Sequence, residues 1–203
     1  MITGRARTLA VLLGATAVGA ISVGGWVSAP DPLRLVPESH LWVDGTSTVR
    51  SFTCKAAVVE ATVETASEYA VPAVLGGQHG VRTVLLSVPA AKLDCGNGQM
   101  NQHMLKALKV KDHPTIEFTL NSYDLANGGD TTKAVLRGTL DLGGVKKPIV
   151  MDAALTAGQD GALRVVGAYE LNMKDYELTP PTLMLGALKV RERVTVNFDL
   201  MLR

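Results

Sequence analysis

Two cysteines and four histidines are the residues of this chain with the widest range of chemistry. An even, small number of cysteines in an exported chain favours a disulfide, here between Cys54 and Cys95. The residues leave two alternatives open: a pair of reduced thiols, or a nucleophilic Cys95 with His103 as its base. A cysteine nucleophile also needs a group that orients the base, and the sequence does not indicate one.

The remaining polar residues do not form a catalytic or metal-binding pattern. His40, His79, His103 and His113 have neither the i, i+4 helical spacing nor the short loop spacing of metal ligands. The sequence contains no G-x-S-x-G, no H-E-x-x-H and no phosphate-binding glycine loop. We therefore predict no catalytic residue, no metal and no cofactor, and a protein that is not an enzyme.

Composition narrows the function classes further. The 203 residues include 20 Lys+Arg and 19 Asp+Glu, which gives a net charge of +1. Nucleic-acid binding needs a larger excess of basic residues. A hydrophobic fraction of 47% excludes a disordered chain. Aromatic residues make up only 4%, which leaves few platforms for stacking bases. We expect a folded domain with no nucleic-acid partner.

The first thirty residues form a separate segment. Arg5 and Arg7 precede a charge-free run over residues 8–30, in which an apolar core leads to the small residues 27–29. This is the layout of a secretory signal peptide. The run is also nearly long enough to span a bilayer, so an uncleaved anchor over residues 8–29 stays open. Either interpretation predicts that the rest of the chain is periplasmic or extracellular.

The sequence divides into three parts. Residues 1–29 are the signal peptide or anchor, and residues 30–39, with Pro32 and Pro37, are predicted to be a linker. Residues 40–203 are predicted to be a single β domain, because apolar and polar residues alternate along most of them.

Alternation is clearest over residues 190–202, where Val194, Val196 and Phe198 share one face. Turn residues at 127–130, 143–144 and 158–161 separate the predicted strands. Short loops imply antiparallel neighbours, so about eight such strands favour a closed barrel or a sandwich. Glu192 is a charged residue on the apolar face. We therefore predict that it lies at the rim of the barrel, or inside the barrel and paired.

One segment departs from the strand pattern. Residues 99–111 are rich in helix-forming residues and carry apolar side chains at helical spacing. Asn97 is the expected N-cap, and His113-Pro114 the expected end. The helix either packs on the end of the barrel or caps its mouth, where methionines suit contact with a flexible apolar ligand.

Several motifs of the chain resemble those of the YceI-like family. They lie at residues 42–52, 87–97, 100–104, 107–109, 113–118 and 138–149. Their order and spacing agree over most of residues 40–202. The chain differs from many members of the family in having few cavity-facing aromatic residues and in carrying Cys54 as a candidate partner for Cys95.

The resemblance implies an all-β, eight-stranded antiparallel lipocalin-like barrel with a short capping helix and an apolar interior. It further implies an exported protein that carries or sequesters an isoprenoid or another long-chain lipid, with a role in envelope stress. An enzyme acting on such a lipid and a structural envelope module without ligand are the alternatives. Whether the barrel forms a homodimer stays open.

Thirteen apolar residues are predicted to line an elongated ligand cavity. Ten face inward from strands, and three on the helix close one end. They are Val84, Leu86, Val88, Met100, Met104, Leu108, Ile116, Phe118, Leu136, Leu140, Val194, Val196 and Phe198. Short aliphatic side chains leave the interior of such a barrel partly open, and a polyprenyl chain matches it in shape and polarity.

Overall fold

The computed structural model describes residues 33–183 and 188–203. The predicted signal peptide or anchor over residues 1–29 lies outside the described residues. No helix in the described part of the chain is long and apolar enough to cross a bilayer.

The described residues form a curled antiparallel sheet. Ten strands follow one another in the order β3-β4-β6-β7-β8-β9-β11-β1-β2-β5, and β10 pairs with β11. The strands are β1 (His40–Ser47), β2 (Ser51–Ala56), β3 (Glu60–Thr65), β4 (Val81–Pro89), β5 (Leu93–Asp94), β6 (Thr115–Asn127), β7 (Thr132–Leu142), β8 (Val145–Ala157), β9 (Leu163–Asn172), β10 (Thr182–Leu183) and β11 (Leu188–Leu202).

The predicted β architecture is correct, but the predicted number of strands is not. The described residues contain eleven strands instead of eight. Two of them, β5 and β10, have only two residues each. Such short pieces cannot show an alternating pattern, because alternation needs at least four residues to be recognised.

The segment before β1 helps to close the curled sheet. Leu33 forms a bridge with Val63 on β3, and Leu35 forms one with Leu202 at the end of β11. The backbone N–H of Arg34 also donates to the carbonyl oxygen of Arg203 at 2.9 Å. This part of the predicted linker therefore packs on the barrel and joins strands that lie far apart in the sheet order.

Two short helices flank the sheet. Helix α1 (Ala70–Leu75), which the strand pattern did not predict, buries Ala70 and Val74. Helix α2 (Gly98–Ala107) begins as predicted, because the Asn97 side chain accepts a hydrogen bond from the backbone N–H of Met100.

Helix α2 ends earlier than expected. The sequence predicts a helix to residue 111, whereas the structure ends it at Ala107. Lys109 adopts a left-handed backbone conformation with φ 55°, and that conformation terminates helices. His113-Pro114 is therefore not what stops the helix.

Two apolar clusters occupy opposite ends of the barrel. One contains Val63, Val74 and Leu202, with Leu33 and Leu35 packed against it. We call this end, with α1 and residues 33–35, the closed end. The other cluster lies around the β7–β8 turn and the segment after β9, and Ala107 and Leu108 pack against it.

Candidate ligand cavity

A cavity of about 580 Å³ runs through the interior of the barrel. This volume falls within the roughly 300–1,000 Å³ typical of small-molecule sites. The cavity wall comes from long strands on all sides of the barrel and from α2. It includes all thirteen residues of the sequence prediction: Val84, Leu86, Val88, Met100, Met104, Leu108, Ile116, Phe118, Leu136, Leu140, Val194, Val196 and Phe198.

Many inward side chains are only partly buried. Leu86, Leu120 and Met151 line the cavity and are still partly accessible, whereas a residue in a solid core touches neighbours on all sides. An empty apolar cavity is costly, because its wall lacks both packing partners and hydration. The arrangement is therefore suited to an apolar guest.

Phenylalanine rings narrow the cavity less than their size suggests. Each of the three phenylalanines lies against a glycine of a neighbouring strand, and a Cβ atom on that glycine would overlap the ring. The pairs are Phe52 with Gly45, Phe118 with Gly138, and Phe198 with Gly167. Because glycine has no side chain, each ring sits close to the barrel wall. The centre of the cavity stays open.

The polar residues of the cavity are concentrated at the end opposite the closed end. We call this region the mouth and define it by Ser47, Arg50, Asn97, Gln99, His103 and Pro181. Among the described lining residues, only Arg50, Asn97 and Gln99 are exposed. The cavity therefore reaches solvent between the β1–β2 turn and the start of α2.

Arg50 is the one Lys, Arg, Asp or Glu among the described lining residues. A charged ligand group deeper in the barrel would lose its hydration without gaining a partner, which is strongly unfavourable. The cavity can therefore hold an apolar chain along its length, with a polar group at the mouth. Sequence reasoning missed Arg50, because it lies in a turn, where alternation carries no signal.

A disulfide between Cys54 and Cys95 fixes the approach to α2. Cys54 is buried on β2, and Cys95 follows β5 directly. No helix residue of α2 is fully buried, so packing alone holds this helix weakly. The covalent link and the hydrogen bonds around it therefore position α2 over the cavity.

Asn101 supplies those hydrogen bonds. Its side chain accepts from the backbone N–H of Cys95 at 2.8 Å and donates to the Asp94 carboxylate at 2.8 Å. The bond from Asn101, joined by one from the Gly96 backbone, lowers the pKa of Asp94. The carboxylate is thus kept ionised and bound to the first turns of α2.

The cysteine that the sequence offers as a nucleophile is oxidised in the structure. Cys95 is disulfide-bonded and therefore has no thiolate to act as a nucleophile. No group of three or more His, Cys, Asp or Glu residues in the described ranges could hold a metal ion. Glu192 lies at the rim, where it is paired with Lys174 at 2.5 Å.

Tyr176 is a polar residue that the sequence analysis did not single out. Its hydroxyl is buried, and burial, together with the neighbouring Tyr169 phenol, raises the pKa of the Tyr176 phenol above its usual range. It does not line the cavity. The phenol therefore stays neutral and packs in the apolar cluster around the β7–β8 turn and the segment after β9.

A curled antiparallel barrel around an apolar, end-opening cavity defines the lipocalin-like class of folds. The family model of the YceI-like domain matches residues 38–202. The chain belongs to the YceI-like family. No curated protein matches it.

Solved structures show the same fold at low sequence identity. A polyisoprenoid-binding domain from Saccharophagus degradans is 16% identical, with a TM-score of 0.63 over 84% of this chain and 97% of that one. BcnA of Burkholderia cenocepacia is 16% identical, with a TM-score of 0.60 over 80% and 95%. The YceI protein of Campylobacter jejuni is 17% identical, with a TM-score of 0.56 over 73% and 82%.

Proposed function

We propose that this protein binds an isoprenoid-type lipid in the barrel and carries or sequesters it outside the cytoplasm. The observation that carries the proposal is the apolar cavity. Among its described lining residues, Arg50 is the one Lys, Arg, Asp or Glu, and it lies at the mouth. Each buried CH₂ group contributes about 0.8 kcal/mol, so a chain of several prenyl units binds with few polar contacts. The polyisoprenoid-binding relative supports the same ligand class.

The two alternative functions make different demands on the barrel. A structural module needs no ligand, and its stability is best served by a solid core, whereas this barrel leaves its inward residues partly accessible. An enzyme needs a reactive group near the lipid, and Cys95 is held in a disulfide. A role as a binding protein accounts for both observations.

A turnover experiment separates a carrier from an enzyme. We expect purified, delipidated protein to bind a polyprenol at near one molecule per chain and to release it chemically unchanged after prolonged incubation. Mass spectrometry of the bound and released lipid measures both quantities. Catalytic conversion of the polyprenol would favour the enzyme, and failure to bind any prenyl lipid would contradict the proposal.

Export is part of the proposed function. The basic start with Arg5 and Arg7, the apolar run after it and the Cys54–Cys95 disulfide all fit an oxidising compartment. A reporter that works only outside the cytoplasm, fused after Arg203, is expected to be active. N-terminal sequencing of the mature protein distinguishes cleavage near residue 29 from an intact anchor. Activity confined to a cytoplasmic reporter would contradict export.

A further inference from the structure

We propose that the mouth docks on the surface of an anionic lipid bilayer, so that lipid passes directly between membrane and cavity. The inference rests on the proposed lipid binding and adds a partner surface and an orientation. Apart from Arg50, it comes from residues that do not line the cavity.

The first observation is an exposed apolar tip beside the mouth. Val49 lies in the turn between β1 and β2 and is 70% exposed. Its turn neighbours Ser47 and Arg50 both line the cavity. An apolar side chain that projects next to a lipid-binding opening is in a position to enter the interfacial region of a bilayer.

The second observation is the charge of the segments around the mouth. The described segments 47–50, 97–107, 181–183 and 188–191 contain four cations. The adjoining residues contribute two carboxylates: Asp94, which is bound to Asn101, and Glu192, which is paired with Lys174. The cations are Arg50, Lys106, Lys189 and Arg191, and none of them is paired with a carboxylate of the described residues. The whole chain has a net charge of only +1, so this local excess is not a property of the surface in general.

The third observation is that three of these cations, Arg50, Lys189 and Arg191, lie on adjoining elements, the β1–β2 turn and the start of β11. The backbone N–H of Thr48 donates to the carbonyl oxygen of Lys189 at 3.0 Å, which joins the β1–β2 turn to the start of β11. Lys189 and Arg191 are exposed on either side of Val190, which points into the cavity. Cations close to an anionic bilayer strengthen binding to it. Charge and apolar tip therefore favour the same orientation.

The closed end differs from the mouth in charge. Tyr69 before α1 is 66% exposed there, but the turns and strand ends of the closed end carry the carboxylates Glu64, Glu68, Asp130 and Asp160. Arg164 is paired with Asp199 at 2.6 Å, and Arg203 with Asp160 at 3.6 Å. The described chain also begins there, since Leu33 and Leu35 bridge β3 and β11. An N-terminal anchor that held the closed end on the membrane would turn the mouth away from that membrane. An experiment can therefore distinguish a protein docked by its mouth from one held by its closed end.

Site-specific photo-crosslinking tests the orientation. We would place p-benzoylphenylalanine at position 49 in the full chain and, as a matched control, at the exposed position 130 in the β6–β7 turn of the closed end. Vesicles would consist of phosphatidylcholine alone or with one third phosphatidylglycerol. We expect lipid adducts at position 49 that are several-fold stronger with the anionic vesicles, fall at high salt and exceed those at position 130.

Charge reversal tests the contribution of the cations. We expect the Lys189→Glu/Arg191→Glu variant to lose about tenfold or more of the adduct at position 49, while Arg82→Glu/Lys133→Glu near the closed end keeps it. Polyprenol binding in solution, measured on the same variants, separates failure of docking from failure of the proposed function. Equal or stronger adducts at position 130, none at either position, or adducts independent of anionic lipid would overturn the proposal.

Discussion

Replacing Leu86 with tryptophan should empty the cavity of lipid while leaving the barrel folded. Leu86 lies on β4, faces the cavity and pairs with Phe118 across the sheet. A larger ring in that position competes with the ligand for the same space. Overpacking of about 1–3 kcal/mol corresponds to binding that is about fivefold to 160-fold weaker.

Leu85→Trp is the matched control, because the neighbouring side chain on the same strand points outward and is 36% exposed. Lipid that co-purifies with each variant is measured by mass spectrometry, and circular dichroism reports the fold. We expect Leu85→Trp to retain as much lipid as the parent. If Leu86→Trp retains as much lipid as Leu85→Trp, the lipid does not occupy the barrel interior.

Removing the disulfide should have the largest effect on stability. Cys54 and Cys95 are separated by 41 residues, and closing a loop of that length contributes about 4 kcal/mol in the chain-entropy model. We expect the Cys54→Ser/Cys95→Ser variant to unfold at a much lower urea concentration. Because the link also holds the start of α2, we expect the variant to release bound lipid faster.

The parent protein treated with a reductant is the control for this variant. Reductant should lower the urea midpoint of the parent to that of the double variant and leave the double variant unchanged. Thiol titration of the unreduced, denatured parent should find no free thiol. Two titratable thiols, or a reductant effect of equal size on the double variant, would show that the disulfide does not provide this stability.

The cavity wall could be predicted from the sequence because alternation along a strand directly determines which side chains face inward. Val84, Leu86 and Val88 are two residues apart on β4, and all three line the cavity. The same rule holds on β11, where Val194, Val196 and Phe198 line the cavity. On a half-buried strand, one apolar face is sufficient to fix the register and the direction of every side chain.

Features that depend on long-range contacts could not be predicted in the same way. Helix α2 ends at Ala107 because Lys109 adopts a left-handed conformation, and lysine gives no local signal for it. Leu33 and Leu35 were assigned to a linker, and only the proximity of β3 and β11 makes them part of the barrel. Arg50 becomes a mouth residue only because the β1–β2 turn meets α2.

The most direct test of the central claim is mass spectrometry of an organic extract of the full chain, purified from the membrane-free supernatant of an expressing cell. The account predicts a prenyl lipid at close to one molecule per protein chain, and its loss in Leu86→Trp. A protein that carries no lipid, and whose crystal structure shows side chains filling the 580 Å³ interior, would contradict the account and favour a structural envelope module.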